Sequence, residues 1–412
     1  MIQPTTTEGR SAPLNDEFFD SALALDAADP LAGYRDLFIA PFDFTALSCL
    51  DSDGPGRPLG ATARLMDEFI RTQWDTRLTR GWSDGWRERT TMLADRLGTV
   101  ALGAAAGQVM VTGSTAATLA AMARAALDGR PGRRTLVLDP DSFPDEHDVL
   151  EEIADERDLS LVRIDTHPVP GTAAGQLTAA VNDDTALILV SHVAYHCGRL
   201  ADMREITRIA HAAGALTLWD LSQSAGVVPL SLDDWGADLA VGRTTDHLNG
   251  GPDAPAFAYV RHDLRSQVRQ PIWKASEVEP VQATRALLSG TSPVLATVAL
   301  RANLDVLESA GIASLRAKSE QLTAFALELT DHWLTPLGVE VLSPRDPGQR
   351  GGHMTLRRPD LDEILASFRA PVVVPGHRHP DQIRIGPAPL STSFVEVYRG
   401  LAVVRALLEK QP

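Results

Sequence analysis

Six apolar runs constrain this chain more than any other feature, because all but the last end in a cluster of small or polar residues. "QVMV" leads to "TGST", "RTLVLDP" to "DSFPDEH", "TALILV" to "SHVAYH", "ALTLW" to "DLSQS", "LAV" to "GRTTDH", and "AFAYV" follows. Segments with apolar spacing near three and four lie between several of them, among them "TAATLAAMARAAL" and "ADMREITRIAHAAG". Near-continuous apolar strands are buried on both faces. Strands that alternate with helices predict an α/β fold: a mostly parallel sheet with right-handed crossovers and helices on both sides. Sites in such sheets collect at the carboxyl ends of the strands.

The 412 residues exceed one small core. Residues 1–75 read as an N-terminal arm with short helices, and 76–290 as the large α/β domain. Residues 291–412 read as a small C-terminal α+β domain. It holds a long helical stretch at about 293–333, strands in "GGHMTLRRP", "PVVVPG" and "QIRIGPAP", and a last helix at about 393–409. His377–His379 ("HRH") reads as a solvated loop, or as a contact for an anionic substrate.

Charge narrows the partners. A net charge of −16 repels phosphate backbones, which argues against nucleic acid. No apolar run is long enough to span a membrane, and the first residues lack a basic-then-apolar leader. Two cysteines far apart, Cys49 and Cys197, suit a reducing compartment, so a cytoplasmic location is expected. No metal is expected: His192 and His196 follow a strand, and no third ligand accompanies them.

The strand ends supply the candidate chemistry. Ser114 and Thr115 open a helix, as an anion cradle or as an ordinary cap. Phe143 is placed to stack on a flat ligand or to fill the core. Asp220 ends a strand, aimed at a protonated nitrogen or capping a turn. Arg384 is suited to clamp a carboxylate, or to form a surface salt bridge. The polar tip "GRTTDHLNGG" carries Arg243, Thr245, Asp246 and His247.

In this order, "SFPDEHDVLEE", "WDLSQSAGVVPLSLDDWGADLA", "LNGG" and "RIGPAPLSTSFVEVY" resemble kynureninase and the wider class V aminotransferase group of pyridoxal-phosphate (PLP) enzymes. The resemblance covers about residues 86–410. It implies the aspartate aminotransferase-like fold of PLP-dependent transferases, a homodimer with shared sites, and a small substrate bearing a carboxylate. It places Ser114 and Thr115 at the cofactor phosphate, Phe143 against the pyridine ring and Asp220 at the pyridine nitrogen. Thr291 falls where the partner subunit reaches the phosphate, and Arg384 where the substrate carboxylate is held.

Four positions depart from the family. Asp246 stands where the family has its cofactor-binding lysine, and Thr245 where it has tyrosine. Gln223 replaces a histidine, and Glu146 replaces an aspartate. A carboxylate cannot form the imine that an amine forms. The chain has only three lysines, Lys274, Lys318 and Lys410, and none falls on the family's position. The sequence therefore predicts no covalently bound cofactor, with pyridoxal or pyridoxamine phosphate held without an imine as the less favoured occupant. It predicts a repurposed enzyme in which Asp246 is the general acid or base, with Gln223 and His247 orienting the substrate. Arg243, Thr245 and Arg384 would bind it. The chemistry expected is proton transfer, cyclisation, elimination or hydrolysis on an amino-acid-derived molecule. A catalytically inactive partner of an active paralogue is the remaining alternative.

Overall fold

The structure is a computed structural model that describes residues 17–40, 48–51, 54–166, 174–265, 293–361, 363–364, 373–379 and 381–410. Of β11 (Val373–His379) only the backbone is described. Thr291 and Lys274 lie outside the described residues.

Seven strands form the larger sheet: β2 (Val109–Thr112), β3 (Thr135–Leu138), β4 (Ser160–Arg163), β5 (Thr185–Ser191), β6 (Leu216–Asp220), β7 (Leu239–Arg243) and β8 (Ala256–Val260). Their order is β2-β8-β7-β6-β5-β3-β4. The block from β7 to β4 is parallel, and β8 runs antiparallel to both of its neighbours. Every residue of β2, β3, β5, β6 and β8 is buried, as continuous apolar runs require when helices cover both faces. One apolar cluster holds Trp219, Phe257 and Tyr259, and a second holds Leu136, Leu187, Leu218 and Val241. Adjacent residues of one strand, Leu218 and Trp219, fall in different clusters, as the two-residue alternation of a strand dictates. Helix Thr115–Asp128 follows β2, and helix Pro144–Arg157 follows β3.

The β7–β8 connection is a hairpin rather than a crossover, and it carries Asp246. Close packing fixes its stem. A Cβ added to Gly242 would lie 2.4 Å from Phe257 Cζ and 3.3 Å from the Leu221 carbonyl carbon, and Phe257 is fully buried. Gly242→Ala is therefore expected to cost about 1–3 kcal/mol through overpacking. A denaturant midpoint unchanged by the substitution would contradict this packing.

The smaller sheet has the order β1-β11-β12-β10-β9, built from β1 (Ser48–Leu50), β9 (Glu340–Val341), β10 (Met354–Arg357), β11 and β12 (Gln382–Ile385). Strand β1 pairs in parallel with β11, and helices Glu17–Ala28 and Ile312–Trp333 pack against the last helix, Phe394–Leu408. Helix Glu17–Ala28 and strand β1 thus pack with the elements of the smaller sheet, whereas helix Gly60–Phe69 packs on helix Val294–Ala310. The long helical stretch expected at 293–333 is two helices, Val294–Ala310 and Ile312–Trp333, parted by Gly311 at φ 77°. His377–His379, read from sequence as a loop, continue β11 in antiparallel pairing with β12. Among the described residues no helix is long and apolar enough to cross a membrane.

Candidate functional site

Three carboxyl groups and two guanidinium groups meet at the carboxyl ends of β6 and β7. Asp246 lies on the hairpin tip and is buried. The tip is held by its own backbone: Thr244 N–H donates to Pro255 O (3.1 Å), Gly250 N–H to Thr244 O (2.7 Å) and Asn249 N–H to Asp246 O (2.8 Å). Asn249, at φ 50°, turns the chain back and donates through Nδ2 to Arg57 O and Asn303 Oδ1, both at 3.0 Å.

One oxygen of Asp246 takes both hydrogen bonds. Oδ2 accepts from Gln223 Nε2 (2.8 Å) and from the Arg243 guanidinium (3.0 Å), whereas Oδ1 is buried with no partner. Burial pushes this carboxyl up to about 7. The charges of Arg243 and Arg384 pull it down, and that of Asp220 pushes it further up. At neutral pH both its protonated and its ionised forms are therefore populated.

Gln223 is itself held. Its Oε1 accepts from Arg384 (2.8 Å), whose other terminal nitrogen donates to Tyr195 O (2.8 Å). Arg384 comes from β12 of the smaller sheet, is fully buried, and lies 5.3 Å from the Tyr195 ring centroid. Burial pulls its guanidinium down to about 10. It is a buried cation and not a surface salt bridge.

Asp220 ends β6. Its Oδ1 accepts from Ser222 N–H (3.0 Å) and Ser222 Oγ (2.6 Å), and Ser222 Oγ in turn accepts from the Arg243 backbone N–H (3.1 Å). Burial raises its carboxyl above the usual range. Glu146, in the first turn of helix Pro144–Arg157, is buried, and its Oε2 has no partner. Burial first, and then the charges of Asp220 and Asp139, hold it well above the usual carboxyl range. Arg243 serves the whole cluster: it binds Asp246, its charge is felt by Asp220 and Glu146, and its guanidinium lies 5.2 Å from the Phe143 ring centroid.

Ser114, Thr115, Phe143, Glu146, Tyr195, Asp220, Ser222, Gln223 and Arg243 line one cavity of about 260 Å³. Ser114 caps helix Thr115–Asp128, accepting from Ala117 N–H at 3.4 Å, and remains exposed. Thr115 and Phe143 are half-buried. Asp246 and His247 line a separate void of about 40 Å³, together with Asp51, Arg57 and Asn249. The shared element is the contact itself: Gln223 and Arg243 wall the larger cavity and grip Asp246, which walls the smaller. The sequence-predicted residues Ser114, Thr115, Phe143, Asp220, Gln223 and Arg243 are thus brought together. Thr245 sits half-buried on the tip.

His247 stands apart from them. Both of its ring nitrogens are sealed from water without a partner, and a Cβ on Gly352 would approach its ring to 2.8 Å. Burial pulls it down to about 3 and holds His353 well below the usual range. Both are neutral near pH 7, which suits a packing role rather than proton transfer. Sequence reasoning did not single out Tyr195, whose contribution is a backbone carbonyl, or Ser222, whose hydroxyl is aimed by the turn after β6. Among the described residues no group of histidine, cysteine or acidic side chains is arranged to hold a metal.

The shifted Asp246 carboxyl has a stability consequence. Its folded value lies above the unfolded one, so the folded state holds the extra proton between about pH 4 and 7, and stability falls as pH rises through 7. Asp246→Asn removes this penalty, and linkage predicts a gain about 2–3 kcal/mol larger at pH 8 than at pH 5. Unfolding curves of both proteins at the two pH values measure it. An equal difference at both would mean that Asp246 is ionised throughout.

Comparison with known proteins agrees with this architecture. A family profile described as "Aminotransferase class-V" matches residues 98–357, and one described as "Kynureninase C-terminal domain" matches 315–404. A kynureninase of Pseudomonas fluorescens is 33% identical over 410 residues, covering 95% of this chain and 96% of that protein. One from Burkholderia pseudomallei (strain K96243) is 32% identical over 409 residues, with the same coverages of 95% and 96%. Among solved structures, a cysteine desulfurase from Thermococcus onnurineus NA1 superposes with a TM-score of 0.75 at 18% identity, covering 88% of this chain and 94% of that one. The Escherichia coli cysteine desulfurase CsdA does so with 0.75 at 17%, covering 92% and 98%. These two distant structures establish the aspartate aminotransferase-like fold of PLP-dependent enzymes. The family profiles and the near-complete relatives go further: this chain belongs to the class V aminotransferase family, on its kynureninase side.

Proposed function

We propose that the protein is an enzyme performing acid–base chemistry on a small amino-acid-derived molecule without a protein-bound imine, and that Asp246 takes or gives the proton. One observation carries the reading. The tip of the β7–β8 hairpin, where the resemblance places the family's lysine, holds a buried carboxyl with one oxygen tied to Gln223 and Arg243 and the other without a partner.

A group whose pKa lies near the working pH is the most effective proton-transfer catalyst. Asp246, pushed up to about 7, meets that condition. Its Oδ2 is fixed by two donors, so the carboxyl is oriented and Oδ1 is the atom that exchanges the proton. Gln223 and Arg243, which hold the Asp246 carboxyl, also line the larger cavity, so the carboxyl sits one side chain away from a substrate bound there. Arg243, half-exposed in the larger cavity, is the cation that a substrate carboxylate meets, facing the hydroxyls of Ser114 and Thr115. Arg384, behind it and fully buried, fixes Gln223 and holds the Asp246 carboxyl below where burial alone would put it. Elimination, cyclisation and hydrolysis of an α-amino acid derivative each need one such proton transfer.

A second reading is favoured by a specific observation: Ser114, Thr115, Phe143 and Asp220, the residues that the resemblance assigns to the cofactor, line one cavity. On that reading the protein holds pyridoxal or pyridoxamine phosphate without an imine, the cradle at Ser114 taking its phosphate. Bound there, the cofactor would supply an electron sink for carbanion chemistry. One experiment separates the two. The purified chain is stripped of carbonyl cofactors with hydroxylamine, incubated with carboxylate-bearing amino acid derivatives, and assayed for product by mass spectrometry. Turnover by the stripped protein is expected, and turnover that returns only on adding the cofactor would overturn the first reading.

A further inference from the structure

The Arg243 guanidinium holds three positions at once. It lies over the Phe143 ring, 5.2 Å from guanidinium carbon to ring centroid. It donates to Asp246 Oδ2 at 3.0 Å. Its charge pulls the Asp220 and Glu146 carboxyls down, and the charges of Asp246, Asp220 and Glu146 push the guanidinium itself above its usual value, against its burial. A guanidinium is planar, permanently charged and suited to lie against an aromatic face while hydrogen-bonding in its own plane. The backbone supports the placement, because the Arg243 N–H is fixed on Ser222 Oγ, which also serves Asp220. A flat cationic group against an aromatic ring and beside a buried carboxylate is what a protonated pyridine ring would present at the same spot. Here the chain supplies that group from its own β7.

We infer that Arg243 is a built-in substitute for the cofactor ring: its guanidinium fills the slot between Phe143 and the Asp220–Asp246 carboxyls and thereby excludes PLP. The inference concerns the same site as the proposed function but does not depend on Asp246 moving a proton. It gives Phe143 and Asp220 a role in the cavity, since the guanidinium lies over the Phe143 ring and its charge acts on Asp220. It also explains how three acidic side chains tolerate burial side by side. The Arg243 charge pulls all three carboxyls down against their burial, and that of Arg384 does the same for Asp246. The cavity that remains, about 260 Å³, is lined by Ser114, Thr115 and Tyr195 as well as by the cluster, with Phe143 already covered by the guanidinium.

The test is direct binding, which needs no knowledge of the substrate. Full-length wild type and Arg243→Ala are titrated with pyridoxal phosphate and with pyridoxamine phosphate, followed by cofactor absorbance and by equilibrium dialysis. Arg243→Gln, uncharged and of similar reach, is run in parallel in case the alanine variant does not fold. The expected result is binding at least about tenfold tighter to the Arg243 variants than to wild type. Methylguanidine, which fits the vacated slot, should compete with the cofactor in the variants and leave wild type unaffected. Tighter binding by wild type would overturn the inference, because Arg243 would then be a phosphate ligand rather than a plug. Equal binding, or no binding to either protein, would overturn it too, since the guanidinium would not be the obstacle. A stripped wild type that turns nothing over, with or without cofactor, counts against the proposed function and leaves this binding test untouched, whereas cofactor-restored turnover counts against both.

Discussion

Asp246→Asn lowers turnover by about 10²–10⁴-fold, the usual contribution of a positioned general acid or base. The substitution is informative because it leaves the geometry alone. Gln223 and Arg243 both donate to Oδ2, so an asparagine with its carbonyl oxygen there keeps both hydrogen bonds. Its amide nitrogen then takes the place of Oδ1, which has no protein partner to lose. What disappears is the exchangeable proton. The pH profile of kcat/KM should lose its limb near pH 7: a rising limb if the free enzyme uses Asp246 as base, a falling one if as acid. Glutamate at the same position keeps the acid but is longer by one methylene in a buried setting, so partial activity with a displaced limb is expected. An asparagine variant that turns over at the wild-type rate would remove Asp246 from the chemistry.

Arg384→Met has the second large effect, on stability as well as on rate. The side chain is fully buried and serves Gln223 Oε1 and Tyr195 O. Methionine fills much of its volume but donates nothing. It also removes one of the two cations that make the acidic cluster tolerable. Deleting one partner of a buried charged arrangement costs about 3–5 kcal/mol. The sign of the accompanying shift is fixed: Arg384 holds the Asp246 carboxyl down, so its loss moves the catalytic limb to higher pH. Chemical denaturation at pH 8 measures the first effect and the kcat/KM profile the second. A loss under 1 kcal/mol with an unmoved limb would mean that the cluster does not feel this arginine.

Much of this was legible in the sequence, for identifiable reasons. The strands of the larger sheet are buried on both faces, so their signal is a plain apolar run, and "TALILV" or "ALTLWD" needs no context to be read. Strand ends in such a sheet are where side chains can point at a ligand, which makes Asp220 legible, whereas Gln223 and Asp246 are legible only as departures from the family that the sequence resembles. What stayed hidden depends on pairing between distant segments. "SCL" is too short to read as a strand until β11 lies beside it. His377–His379 are polar because they sit on a strand of a small sheet, where the apolar-run rule does not hold. Arg384 was read as reaching for substrate, whereas its guanidinium turns inward to Gln223, and no local pattern encodes that direction. Glu146 was noticed as a departure, but its buried unpartnered oxygen follows from three-dimensional neighbours alone.

The hairpin that carries Asp246 has one more implication. Its shape is set by hydrogen bonds among Thr244, Gly250, Pro255 and Asn249 and by the grip of Asn249 on Arg57 and Asn303, none of which involves the side chain at 246. The side chain there can be exchanged, acid for amide, while the backbone of the hairpin keeps its form. A change of chemistry at that socket then asks for new neighbours, such as Gln223 and Arg243, but not for a new hairpin.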